Sequence, residues 1–484
     1  MIIPLREAVA DTCGGKAGAL GALLRAGLPV PDGFVVPFAA YLAAVRDLGL
    51  GRRFLGESGE DLESGRFAGE PDDPDAVRAA ILARPVHATL IDALGRALDE
   101  LGDPPVAVRS SAANEDTGQA SAAGQHESFL AVHGAGDVAD AVRACWASLF
   151  SPRAIDYRGA SGHDGHDGHD GHDGDDGYHG YHGYHGDDGY GGYDGHGRCG
   201  GLGVSGCDGR SSGDLAMAVI VQRHLDAEVS GVMFTPADPD DATAIEASWG
   251  LGPSVVEGKV TPDAYRVTKN GPIIRTIADK RTRLDRSGTR LVVRDVPTPA
   301  RDQPVIDDAT ATRLAELGEE IAAKRGGPQD IEWAIAGGRI WVLQARPITA
   351  APPPPASLSG APAAALPTSA SPYGTPAAAL TGTPGSRGIV TGPARVVRGP
   401  GDFARVRPGD ILVCPFTDPA WTPLLRIVAG VVTETGGVLS HAAIVAREHG
   451  IPAVLGLPNA TSRLHDDTLI TIDGTTGAVT AANA

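Results

Sequence analysis

A surplus of positive charge is missing from this chain. Its 484 residues carry 41 Lys and Arg against 60 Asp and Glu, for a formal net charge of -19 and a pI near 5.2. A nucleic-acid partner needs a basic face for its phosphates, so that class is set aside. Cysteine is also scarce. The five residues, Cys13, Cys145, Cys199, Cys207 and Cys414, are odd in number and widely scattered, which implies no disulfide framework and fits a reducing cytoplasm. No run approaches the roughly eighteen consecutive apolar residues of a membrane span. The start, MIIPLREAVAD, has no basic region leading into a long apolar stretch, so no signal peptide is expected. A cytoplasmic protein of two or three domains, with no membrane partner, is the expectation.

What is present falls into blocks. Cys13-Gly14-Gly15-Lys16 leads into a helix with Leu20, Leu23 and Leu24 on its apolar face, then a turn and a short strand at 34–36. Glycines before a lysine suit a phosphate cradle, although Ala10 and Ala17 stand where a Walker A loop requires Gly and Ser/Thr. Val106–Ala112 reads as a strand ending in Arg109, Ser110 and Ser111, and an arginine there can clamp phosphoryl oxygens. Ala122–Leu130 turns into another strand through Gly124 and Gln125. Two apolar strands, 215–221 and 230–235, flank a hinge at Gln222-Arg223-His224, an arrangement that can line a base-binding slot. After a helix near 309–325, residues 330–335 and 340–347 alternate as a hairpin. Alternation puts Glu332 with Ala334 on one side, and Val342 with Gln344 and Arg346 on one side. A carboxylate, an amide and an arginine on one hairpin face can hold magnesium and a polyphosphate.

Two segments lack any folding pattern. From Gly162 to Gly195 glycine recurs every third residue, and the stretch around it holds eight of the fifteen histidines. It contains no proline, so the collagen-like period does not mean a triple helix, and a transition metal on its histidines is chemically plausible. Residues 350–381 are Ala, Pro, Ser and Gly, a linker with a root-mean-square span of about 30 Å when flexible.

The sharpest stretch is Thr433–Pro452, TETGGVLSHAAIVAREHGIP. A buried strand is expected over Ile427–Val432, then a Gly-Gly turn, then a helix starting at His441 and stopped by Gly450 and Pro452. A helix start offers free N–H groups and a positive dipole end, which favour phosphate.

Taken together and in order, VAVRSS, AGQHESFL, SGVMFTPADP, IEWAI, LQARP and TGGVLSHAAIVAREHGIPAV resemble the phosphoenolpyruvate synthase and pyruvate phosphate dikinase family, which includes rifampin phosphotransferase. The resemblance implies an α/β (α+β) architecture. It comprises an ATP-grasp nucleotide-binding domain (1–349) carrying the insert (159–213), the linker (350–381) and a small swivelling β/β/α phosphohistidine domain (382–484). It implies ATP contacts from Lys16, Arg109, Gly124, Gln125, Gln222, Glu332, Gln344 and Arg346, with Mg2+ on Glu332 and Gln344. His441 would be the nucleophile that carries the phosphoryl group, assisted by Arg109 and Arg346, in surroundings shaped by Thr435, Gly436, Gly437 and Ser440.

The implied reaction passes the β-phosphoryl group of ATP to His441 with release of AMP and phosphate, then on to pyruvate or another small acceptor. The chain departs from the family pattern in ending just after the phosphohistidine stretch, so a form without the pyruvate-binding barrel is expected. A subunit served by a separate acceptor-binding chain is one alternative. Another is a metal-binding protein whose histidine-rich insert sits on a non-catalytic nucleotide-binding scaffold.

Overall fold

The computed structural model describes residues 2–47, 73–113, 127–152, 154–155, 215–238, 241–269, 271–350 and 380–481. The histidine-rich insert, most of the linker, and Gly124 and Gln125 lie outside these residues. Helices and strands mix throughout, as an α/β chain requires.

The first sheet has five strands: β1 (Ile3–Pro4), β2 (Gly33–Val36), β3 (Val106–Ala112), β4 (Ser128–Val132) and β5 (Met217–Arg223), in the order β1-β2-β5-β3-β4. Its central strand is apolar on both faces because both are covered. Met217, Val219 and Val221 join one core, and Ala218 and Ile220 the other. The first core is closed by α2 (Phe38–Asp47), α3 (Pro74–Ala83), α4 (Ala88–Leu101) and α5 (Ala135–Ser148), the second by α1 (Ala10–Arg25). Gln222 and Arg223 belong to β5, so the expected hinge there is a correction: the connection is His224–Glu228 alone.

A six-stranded antiparallel sheet follows. It contains β6 (Val229–Phe234), β7 (Thr243–Trp249), β8 (Asp263–Val267), β9 (Ile274–Thr276), β12 (Gln329–Ala336) and β13 (Arg339–Pro347), in the order β13-β12-β6-β7-β8-β9. Between β9 and β12 come a hairpin, β10 (Thr282–Ser287) with β11 (Arg290–Asp295), and the helix α7 (Asp308–Arg325), while the single turn α6 (Pro253–Val256) follows β7. Leu20 and Leu23 of α1 pack with Ile331 and Trp333 of this sheet and with Val35 and Ile220 of the first. One helix thereby glues two sheets.

The hairpin β12–β13 has an irregularity that alternation could not reveal. Glu332 pairs with Gln344 but Trp333 pairs with Val342, leaving Leu343 as an extra residue. Ile331, Trp333, Val342 and Ala345 all enter the α1 core. Val342 therefore faces away from Gln344 and Arg346, contrary to simple alternation, while Glu332 stays opposite Gln344 and Asp330 opposite Arg346.

Residues from 380 onward build an eight-stranded sheet: β14 (Leu380–Thr381), β15 (Thr383–Ser386), β16 (Ile389–Val396), β17 (Ile411–Cys414), β18 (Gly430–Thr433), β19 (Ala453–Leu455), β20 (Leu469–Asp473) and β21 (Ala478–Ala481). The order is β14-β21-β20-β16-β17-β18-β19-β15. Leu380 and Thr381, expected in the linker, pair with β21. The strands β16 to β19 run parallel and are apolar on both faces, Leu412 and Val431 entering one core and Val413 and Val432 the other. The buried run expected at Ile427–Val432 is strand only from Gly430. Val428 donates to Leu424 O from the turn that follows the short helix α8 (Thr422–Leu425), and Ile427 is exposed. The helices α9 (His441–Glu448) and α10 (Ala460–Arg463) complete this part.

Candidate functional site

Arg109 lies in β3, partly buried, where its Nη1 donates to Leu343 O at 3.3 Å and sits 3.7 Å from Glu332 Oε2. The bulge makes that carbonyl available, so the defect in the hairpin is also the point where the first sheet touches the second. Glu332 and Gln344 are cross-strand partners, and strand neighbours directly opposite one another present their side chains on one face. One pair further along, Arg346 donates from Nε and Nη2 to Asp330 Oδ2 at 2.8 and 2.7 Å, a buried charge-assisted fork.

Lys16 approaches from α1. Gly14, at φ 79°, breaks that helix, and a Cβ there would lie 2.3 Å from Ser111 O. The helix restarts beyond it, with Ala17 N donating to Ser111 Oγ at 3.1 Å. The glycine turn expected before Lys16 thus exists as a break that seats α1 against the end of the strand carrying Arg109. Gln222 is buried in β5 with its amide donating to Pro31 O at 3.0 Å. That contact directs the amide to the turn before β2, the same turn whose Pro29 O accepts from Val342 N of the hairpin.

His441 is the first residue of α9 and is 5 % exposed. Its Nδ1 lies 2.9 Å from Thr417 Oγ1 and its Nε2 3.3 Å from Thr422 Oγ1. Burial, and after it the positive charge of Arg346, lower its pKa to about 4. The imidazole is therefore neutral near pH 7. The charge of Arg346 reaches the histidine, so the hairpin that carries Glu332, Gln344 and Asp330 is electrostatically coupled to His441.

The loop before His441 is engaged elsewhere. Ser440 Oγ donates to Gly437 O, and Thr435 Oγ1 lies 2.6 Å from Gly258 O and 3.2 Å from Pro415 O. Backbone N–H groups of Val438 and Leu439 donate to the carboxylate of Glu246 on β7. Apolar contacts join Val438, Leu439 and Ile444 to Val232, Phe234, Val255 and Val260.

Against known proteins, residues 10–357 match the family described as "Pyruvate phosphate dikinase, AMP/ATP-binding domain", and residues 406–477 match "PEP-utilising enzyme, mobile domain". The chain belongs to this family of phosphoenolpyruvate synthases and pyruvate phosphate dikinases. It is 35 % identical over 478 residues to a protein from Methanothermobacter thermautotrophicus named "Probable phosphoenolpyruvate synthase", covering 96 % of this chain and 61 % of that protein. Identity to "Phosphoenolpyruvate synthase" of Aeropyrum pernix is 32 % over 510 residues, and to that of Escherichia coli 31 % over 510, each covering 97 % of this chain and 56 % of the relative. The chain thus spans little more than half the length of these relatives.

The first family match contains Lys16, Arg109, Glu332, Gln344 and Arg346, and the second contains His441. In this synthase-family chain the sequence reading missed Thr417 and Thr422, both buried beside the histidine, and Asp330 as the partner of Arg346. Threonines about twenty residues upstream give no local signal. Asp330 could have been found from its register with Arg346. Among the described residues no helix is long and apolar enough to cross a membrane, and no group of three or more His, Cys, Asp or Glu is placed to hold a metal ion.

Proposed function

We propose that the chain is an ATP-dependent phosphotransferase of the dikinase type. In this reading residues 1–349 form an ATP-grasp nucleotide-binding domain and the part from 380 onward a swivelling phosphohistidine domain. The observation that carries it is a buried neutral histidine at a helix start, coupled to an arginine of a carboxylate- and amide-bearing hairpin. Lys16, Arg109 and Arg346 supply cationic charge for the nucleotide phosphates. Gly124 and Gln125 are assigned to the loop that covers them, and Gln222 to the border of the base.

Glu332 and Gln344 fit Mg2+, which is commonly held by one or two protein oxygens together with substrate phosphates and needs no cage of three acidic residues. When bound there it neutralises polyphosphate charge. The chain's own residues do the rest. An imidazole nitrogen of His441 attacks the β-phosphorus, the bond to the α–β bridging oxygen breaks, and its electron pair leaves with AMP. The γ-phosphoryl group is then released as phosphate after transfer to water, or passes to orthophosphate. Thr417 holds Nδ1 and so fixes the ring for attack through Nε2. The remaining phosphoryl group moves to an acceptor, pyruvate or another small molecule.

The test is incubation of the full chain with Mg2+ and β-labelled ATP, followed by measurement of acid-labile label and AMP. The wild type is expected to form both, and His441→Ala neither. Equal labelling of His441→Ala overturns the assignment.

A further inference from the structure

We propose that Glu246 is a positioning residue that sets the His441 loop in register on the nucleotide-binding sheet and so fixes where the imidazole lies. This rests on the proposed function for its catalytic meaning, but not for its geometry.

The carboxylate uses both oxygens. Oε1 accepts from Val438 N at 2.6 Å and Oε2 from Leu439 N at 3.1 Å, joining residues 192 and 193 positions apart in the chain. It is 3 % exposed and sits amid an otherwise apolar contact, flanked by Val232, Phe234 and Ala244 on one side and Leu439 and Ile444 on the other. Apolar contact is non-directional and tolerates sliding. A bidentate carboxylate facing two consecutive N–H groups does not, because a shift of one residue would bury the charge and the donors without partners. Gly437 is shaped to this contact, since a Cβ there would lie 2.3 Å from both carboxylate oxygens. From its other side the loop is held by Arg447 of α9, whose Nη1 donates to Val438 O at 2.8 Å and Gly385 O at 2.9 Å. His441 follows Leu439 by two residues, so the position of these two N–H groups fixes where the ring lies.

The glycines were expected to frame phosphate on the histidine. The structure gives Gly437 a second use, close approach of a carboxylate from the facing sheet.

The test uses the full chain bearing spin labels at exposed Lys269 and Asp467, with Glu246→Gln and Glu246→Ala compared with wild type and with Gly437→Ala as an independent approach from the loop side. Three readouts are taken: the interlabel distance distribution, ATP affinity, and the single-turnover rate of phosphohistidine formation. Losing hydrogen bonds to a charged group at a buried site is expected to slow phosphoryl transfer about 10- to 100-fold and broaden the distance distribution. ATP affinity is expected to stay within about twofold, since both oxygens of Glu246 are taken up by the Val438 and Leu439 N–H groups. Glu246→Asp is expected to recover part of the rate. Unchanged distances in all three substitutions overturn the proposal, as does a loss that appears only as weaker ATP binding. If the wild type forms no phosphohistidine, the functional reading fails while the distances still decide the role of Glu246.

Discussion

At the scale of single residues, His441 reaches the neutral state through burial, not through a base. The sign of the pH effect follows. As pH falls below about 6.5, the unfolded chain binds a proton that the folded imidazole refuses until about 4. The contribution is therefore full above the unfolded value and is lost as pH falls through that window. Two outcomes are expected. Urea unfolding shows wild-type stability falling more steeply than that of His441→Ala between pH 6.5 and 4, and the acid limb of phosphohistidine formation lies near 4. A limb at 6.5 would mean that the ring titrates in solvent. Arg346 tests a different residue-scale effect. Arg346→Ala removes two charge-assisted hydrogen bonds from the buried Asp330 and should cost about 3–5 kcal/mol of unfolding free energy, along with labelling of His441. A variant with normal stability would show that Asp330 finds another partner.

Elements carry the next lesson, and α1 shows it best. Its Gly-Gly-Lys start was visible in the sequence as a glycine turn, yet the physical reason for Gly14 is the approach of Ser111 from a strand nearly a hundred residues away. Gly14→Ala places a methyl group against Ser111 O and strains a positive φ, so it should destabilise by about 1–3 kcal/mol. Because Lys16 follows the break directly, ATP affinity should fall as well. Calorimetric titration and thermal melts check both. Strands of the interior were legible from apolar runs, since β5 and β17 are covered on both faces. The run at Ile427–Val432 misled because the buried side chain of Val428 comes from a helical turn, and burial alone does not distinguish the two. The bulge at Leu343 was illegible for a related reason. Nothing in the residues of a hairpin announces one unpaired position, and yet that position decides which side chains face Arg109.

For the whole molecule, the residues around His441 and the facing hairpin come from 109, 330–346 and 417–447, far apart in sequence. Motifs told which residues matter, and the sequence could not show that β7 meets the loop before α9, because docking between two separately patterned parts leaves no periodicity. All of these contacts are made by described residues outside the insert. Deletion of residues 162–197 is expected to leave AMP release and labelling of His441 within about twofold of wild type. Abolished turnover would favour the metal-binding alternative.

The two ends of the sheet built by residues 380–481, β14 and β15, are separated in the chain by Gly382 alone, whose N–H donates to Gly477 O. A one-residue connection therefore brings the two ends of the strand order next to one another, β14 on β21 and β15 on β19. If His441 travels as the proposed function requires, the hydrogen-bonded sheet of residues 380–481 is expected to move with it, from the point where the chain enters at Leu380.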